Sequence, residues 1–276
     1  MDNLRSKRRS LVLLLALAAS ALIVAPLIGS TNTPRQGTAA NQSAADEKVV
    51  IPPGKENLPA EEVFHNIEIL KGKPASRLPG MMTALNGLLG VKCAYCHDVN
   101  AWEKEIPTKI TSRHMFAMIG DTNKKYFNGA NPNPITCWTC HRGAAKPTSG
   151  QQELMAGLQS LPEDRKKVIA DLTSSLGENK DKPAEEVFHN IQFFKGVPAS
   201  RLLRVMSVYT VALGVDCSHC HVVGEWEKDD KPAKRTVITM NQVVKDVNTQ
   251  LFGDAPAKVA CYTCHRGAEK PVNIPK

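Results

Sequence analysis

The sequence predicts a mostly α-helical chain built from two homologous modules with long loops and cores filled largely by something other than side chains. Three observations carry this. Apolar residues recur at i, i+3 and i+4 in several stretches, and no run alternates as a strand would. A block of sequence repeats at an offset of 124 residues. The 276 residues hold only 7 Phe, 4 Tyr and 3 Trp, few rings for cores of ordinary make-up. At roughly 100–200 residues per domain, the length allows one or two domains, and 42% hydrophobic residues exclude a mainly disordered chain.

Residues 1–30 read as a membrane anchor or a signal segment. Arg5, Lys7, Arg8 and Arg9 precede an uncharged run from Leu11 to Ile28. As a helix that run of 18 residues would span about 27 Å at 1.5 Å per residue, barely a hydrocarbon core. It is also longer than a usual signal h-region of about 7–15 residues. Either it is an uncleaved anchor, the reading favoured here, or it is cut near Thr38-Ala39-Ala40. The basic flank would stay cytoplasmic, with the rest of the chain on the far side. Residues 31–57, rich in Ser, Thr, Asn, Pro and Ala, read as a flexible tether.

The repeat defines module 1 as 58–147 and module 2 as 182–276. Pro59-Ala60-Glu61-Glu62-Val63-Phe64-His65-Asn66-Ile67 returns as Pro183-Ala184-Glu185-Glu186-Val187-Phe188-His189-Asn190-Ile191. Pro74-Ala75-Ser76-Arg77-Leu78 returns at 198–202, and Trp102-Glu103-Lys104 at 226–228. Val63, Phe64, Ile67 and Leu70 predict an opening helix that ends before Gly72. Further helices are expected over 76–89 and 109–119, and over 200–213 and 234–247. Between the modules, 148–181 is a connector. Pro162-Glu163-Asp164 opens a helix there, Val168, Ile169, Leu172 and Leu176 form its stripe, and Gly177 stops it.

All eight cysteines fall in C-x-x-C pairs: Cys93/Cys96, Cys137/Cys140, Cys217/Cys220 and Cys261/Cys264. Each pair is followed at once by a histidine, His97, His141, His221 or His265. C-x-x-C-H is the attachment signature of c-type haem. Two thiols reach two vinyl groups of one porphyrin, and the next residue brings an imidazole under the iron. Zinc ribbons or local disulfides do not call for that histidine. Four covalently attached haems are therefore expected. Their propionates would offset much of the formal charge of +8, with Arg142 and Arg266 as propionate neighbours. No nucleic-acid-binding motif is present, and nucleic acid is not expected as a partner.

The sixth ligand separates carrier from enzyme. Met82 and Met206 each lie 11 residues before a first cysteine, and Met115 and Met240 lie 22 and 21 before theirs. Met81 and Met118 have Val205 and Val243 at the matching positions. A thioether suits haem iron, so the expected axial pairs are His97/Met82, His141/Met115, His221/Met206 and His265/Met240. His65 and His189 sit on what reads as a polar face. His219 is trapped within its own motif, and His114 has no counterpart.

The E-E-V-F-x-N-I opening, the Met82 and Met206 helices with the L-G-V-x-C-x-x-C-H that follows them, Asp229-Asp230-Lys231-Pro232, Met240, and Cys261-Tyr262-Thr263-Cys264-His265-Arg266-Gly267 together resemble the tetrahaem cytochrome subunit of photosynthetic reaction centres. The resemblance implies a helix, a turn and an attaching helix around each haem. It implies four haems in a row that pass single electrons from a soluble cytochrome or copper protein to an oxidised pigment pair, on the periplasmic side of a bacterial membrane. In that family a histidine just before the second motif commonly ligates one haem. Here 128–136 holds none, and the lipobox cysteine of some members is absent. Other readings weighed are a subunit of a respiratory complex, a polymerising conductive cytochrome, and a redox enzyme with an open iron. Methionines assignable at every site argue against the last.

Overall fold

The computed structural model describes residues 50–129 and 134–275. Among them eleven α-helical segments form and no strand does; the extended pairing is confined to isolated bridges. The proposed anchor and residues 31–49 of the tether lie outside the described residues. Among the described residues, no helix is long and apolar enough to cross a membrane.

Each module opens by pairing its two Pro-Ala segments. The Ala60 N–H donates to the Lys73 carbonyl at 2.8 Å and the Ala75 N–H to that of Leu58 at 2.9 Å. Ala184 and Ala199 do the same with Val197 and Lys182. All four alanines are fully buried, so a larger side chain has no room. The expected opening helix is shorter than its apolar spacing suggests. α1 spans Ala60–Val63 only, and its counterpart α7 spans Ala184–Val187. Phe64 and Phe188 are extended, and Asn66 and Asn190 are left-handed at φ 61° and 60°. The cause is tertiary. The amide of Asn66 donates to the Glu103 carbonyl and that of Asn190 to Glu227, and the Glu61 and Glu185 carboxylates accept from the N–H groups of Gly72 and Gly196. Phe64 and Ile67 still reach the Ala60–Leu70–Leu78 cluster, but from a loop.

α2 (Arg77–Leu89) and α8 (Ala199–Leu213) carry Met82 and Met206 and end at left-handed Gly90 and Gly214. A Cβ on Gly90 would lie 2.0 Å from the Gly143 oxygen, and one on Gly214 2.2 Å from that of Gly267. In the same junctions Gly143 N–H donates to Leu88 and Gly267 N–H to Ala212. The Leu-Gly-Val and His-Arg-Gly repeats thus meet, and only glycine satisfies both the φ and the approach.

α3 (Pro107–Phe127) and α10 (Pro232–Phe252) run well beyond the stretches expected, each with proline in its first turn. They pack on one another across the modules through Met118, Val243 and Val247, joined by Met115 and Met240. Lys125 and Tyr126 of α3 reach Asp246 of α10 at 2.6 and 2.5 Å. In the connector, α5 (Gln151–Gln159), which the sequence pattern does not announce, precedes α6 (Glu163–Ser175). Both lie against module 2. A Cβ on Gly157 would meet Val211, and Arg165 donates to the Val215 carbonyl at 3.1 Å. The apolar clusters stay small, and Thr139 is the only larger side chain below 2% exposure among the described residues.

Candidate functional site

The four C-x-x-C-H motifs take two local forms. The second and fourth make five-residue helices, α4 (Cys137–His141) and α11 (Cys261–His265). Their third residue is a buried threonine whose hydroxyl accepts the N–H at the helix start, Thr139 from Thr136 and Thr263 from Ala260. The first and third lack that threonine and wind less, as a 3₁₀ turn over Cys93–Tyr95 and as α9 (Cys217–Cys220).

All eight cysteines are half-buried, and none is paired in a disulfide. Burial pushes the Cys137, Cys220 and Cys261 thiols up. Three of the four motif histidines turn Nδ1 to a backbone carbonyl: His141 to Ala144 at 2.9 Å, His265 to Ala268 at 3.0 Å and His221 to Trp226 at 3.0 Å. His97 Nδ1 is buried and faces the Trp102 carbonyl without closing a full hydrogen bond. With Nδ1 so directed, Nε2 is left for a metal. Burial holds His97 and His221 below the usual imidazole value, which keeps them neutral, as ligation requires.

A cavity of about 1770 Å³ lies within module 1 and at its junction with module 2. It is larger than the roughly 300–1,000 Å³ of a pocket for one drug-sized ligand. The first motif (Cys93, Cys96, His97) and the second (Cys137, Cys140, His141) both line it. So do Met82 and Met115, the sulfurs expected to face those histidines. Met206 is half-buried on α8 and Met240 packs in the α3–α10 cluster; neither lines this cavity.

The second and fourth motifs meet. Cys140 and Cys264 sulfurs lie 3.1 Å apart. Arg142 donates to the Cys264 carbonyl and Arg266 to that of Cys140, both at 2.9 Å. Both arginines are left-handed, at φ 47° and 48°, where they end their helices. Their Nε atoms are buried and have no protein partner. Burial and the neighbouring Arg266 push Arg142 down. Two crowded guanidiniums with orphaned N–H groups suit an anion. The donor sets, the cavity and these orphaned groups together fit haem with its propionates.

The remaining histidines stand apart: His65, His189 and His114 are exposed, and His219 Nε2 lies 3.6 Å from the Glu269 carboxylate. Sequence reasoning missed Lys109 and Lys234, whose ammonium groups lie among the carbonyls of the two Trp-Glu-Lys tripeptides. The signal was present, since each lysine follows its helix-opening proline by two.

The chain matches the family described as "Photosynthetic reaction centre cytochrome C subunit" twice, over residues 28–155 and 150–275. It is 26% identical over 260 residues to the photosynthetic reaction center cytochrome c subunit of Rubrivivax gelatinosus, covering 77% of this chain and 68% of that one. The protein of the same name from Thermochromatium tepidum is 26% identical over 258 residues, with 77% and 61% covered. Cytochrome c-554 of Chloroflexus aurantiacus is 33% identical over 90 residues, with 31% and 22% covered. With both modules matched, and with the motifs disposed as they are, the chain belongs to the photosynthetic reaction centre cytochrome c subunit family.

Proposed function

We propose that this chain carries four covalently attached c-type haems and passes single electrons from a soluble periplasmic donor, a cytochrome or copper protein, to a photosynthetic reaction centre in the membrane. The observation that carries this reading is the meeting of the second and fourth motifs through Arg142, Arg266, Cys140 and Cys264. The first two motifs line one cavity, and the repeat supports the same relation for the last two. The sites then follow one another as first, second, fourth and third, an unbroken row.

When bound, haem supplies one-electron exchange at its iron. The chain does the rest. The eight cysteines would fix each group covalently, and His97, His141, His221 and His265 would offer Nε2 to the iron. Met82, Met115, Met206 and Met240 would supply the second ligand at each iron, the donor set of a carrier rather than of an enzyme. Arg142 and Arg266 place positive charge between the inner sites, where they would hold propionates and raise the affinity for an electron. In this reading residues 1–30 hold the chain at the periplasmic face, and the donor docks weakly and transiently.

Pyridine haemochrome assay of the purified full chain tests the count. Four c-haems per chain are expected, and two or fewer would end the tetrahaem reading. Purification from native membranes tests the acceptor, which should come away as a pigment-bearing complex.

A further inference from the structure

Lys234 near the start of α10 sends its ammonium into the loop that follows the third motif. There it donates to the carbonyls of Trp226 at 3.0 Å, Glu227 at 2.8 Å and Lys228 at 2.9 Å. Lys109 on α3 repeats this with Trp102 at 3.0 Å and with Glu103 and Lys104 at 3.2 Å. Lys109 is only 9% exposed. A lysine is rarely buried so far unless its charge has work to satisfy it.

One carbonyl in each cage has a second role. The Trp226 oxygen also accepts from His221 Nδ1 at 3.0 Å, and His97 Nδ1 faces the Trp102 oxygen. The Trp rings lie against the same imidazoles, with centroids 5.6 and 5.3 Å away. At the second and fourth motifs the histidines turn to Ala144 and Ala268 instead, and no lysine or arginine donates to those carbonyls among the described residues. The four sites therefore form two classes, one with a cation on the carbonyl behind the histidine and one without.

We propose that Lys109 and Lys234 are positioning residues that raise the reduction potentials of the first and third haem sites, acting through the Trp102 and Trp226 carbonyls on His97 and His221. This rests on the haem reading above. An ammonium on the carbonyl draws off its electron density, so the carbonyl accepts less strongly from Nδ1–H. The imidazole then keeps less anionic character and donates less to iron. Ferric iron needs that donation more than ferrous iron, so reduction becomes easier. The charge acts in the same sense, because an electron is better held near a cation. Asp229 pairs with Lys234 at 3.0 Å and weakens its field at long range, while leaving the contact with the carbonyl in place. Glu105, the acid near Lys109, is engaged by Arg113 at 2.7 Å and by Asn66.

The test is spectropotentiometric titration of the full-length holoprotein with Lys234→Gln and Lys234→Arg. Glutamine keeps N–H donors for the loop but removes the charge. One of the four haems should shift toward its oxidised form by about tenfold, about 59 mV lower for one electron, with the other three unmoved. Arginine should restore it. A Lys234→Gln protein with all four potentials unchanged and a lower melting temperature would reduce the lysine to a loop clamp and overturn the proposal. Should that variant not fold, Asp229→Asn decides instead. Freed of its partner charge, the ammonium should raise the same potential, and no change would overturn the proposal equally. A wild-type chain without four haems by haemochrome assay would fail the underlying reading before any potential is compared.

Discussion

Cys140 and Cys264, 124 positions apart in the sequence, bring their sulfurs to 3.1 Å across the junction of the two modules. The repeat offset has become a spatial contact: equivalent atoms of equivalent motifs face each other, as they do about a two-fold axis. Arg142 and Arg266 seal the contact reciprocally.

Loss of either arginine should therefore be felt at both inner haem sites. Arg266→Met removes a charged hydrogen bond to the Cys140 carbonyl, worth about 2 kcal/mol, and the cation proposed to hold the propionates. Thermal unfolding of the holoprotein should show the loss, and redox titration should show two potentials falling together. A shift confined to one haem would mean that the guanidinium serves only its own motif.

Gly90 and Gly214 join the methionine helices to the Arg-Gly turns. Gly214→Ala combines a left-handed φ of 65° with a Cβ 2.2 Å from the Gly267 oxygen. A cost of at least about 2 kcal/mol is expected, read as a lower melting temperature. The long-wavelength Met–iron absorption band should weaken too, because α8 carries Met206. A fully stable alanine variant would contradict the close approach.

The ligand assignment is tested by Met115→His. A histidine in place of the thioether should lower one of the four potentials, since His/Met ligation raises it relative to two histidines. The Met–iron band should lose one haem's share. An unchanged spectrum would remove Met115 from the iron.

Asp246 links α10 to α3 through Lys125 and Tyr126, and these, with Gln242 of α10 itself, hold its carboxyl at about 2 against an ordinary 3.8. A depressed value in the fold means that the ionised form is stabilised there. The contribution is complete above the ordinary value and disappears as pH falls through it toward about 2. Melting temperature should fall with acid over this window in the natural chain. The fall should be shallower in Asp246→Asn; parallel curves would show that the group is uncoupled from folding.

How much of this was legible differs from residue to residue. The haem motifs, the two-module repeat and the four candidate methionines stand in the sequence because covalent attachment and helix spacing are local constraints, written within a few residues or a few turns. The stop of α1 at Val63 was not legible there. Phe64, Ile67 and Leu70 have helical spacing, and it is distant partners, the Glu103 carbonyl and Arg113 among them, that hold Asn66 in its left-handed conformation. The meeting of Cys140 with Cys264 likewise came from tertiary structure alone, whereas the carbonyl cages of Lys109 and Lys234 close over five to eight residues of sequence, beside each helix-opening proline. The first depends on α4 and α11 bringing together motifs 124 residues apart, and long-range packing leaves no period in the chain.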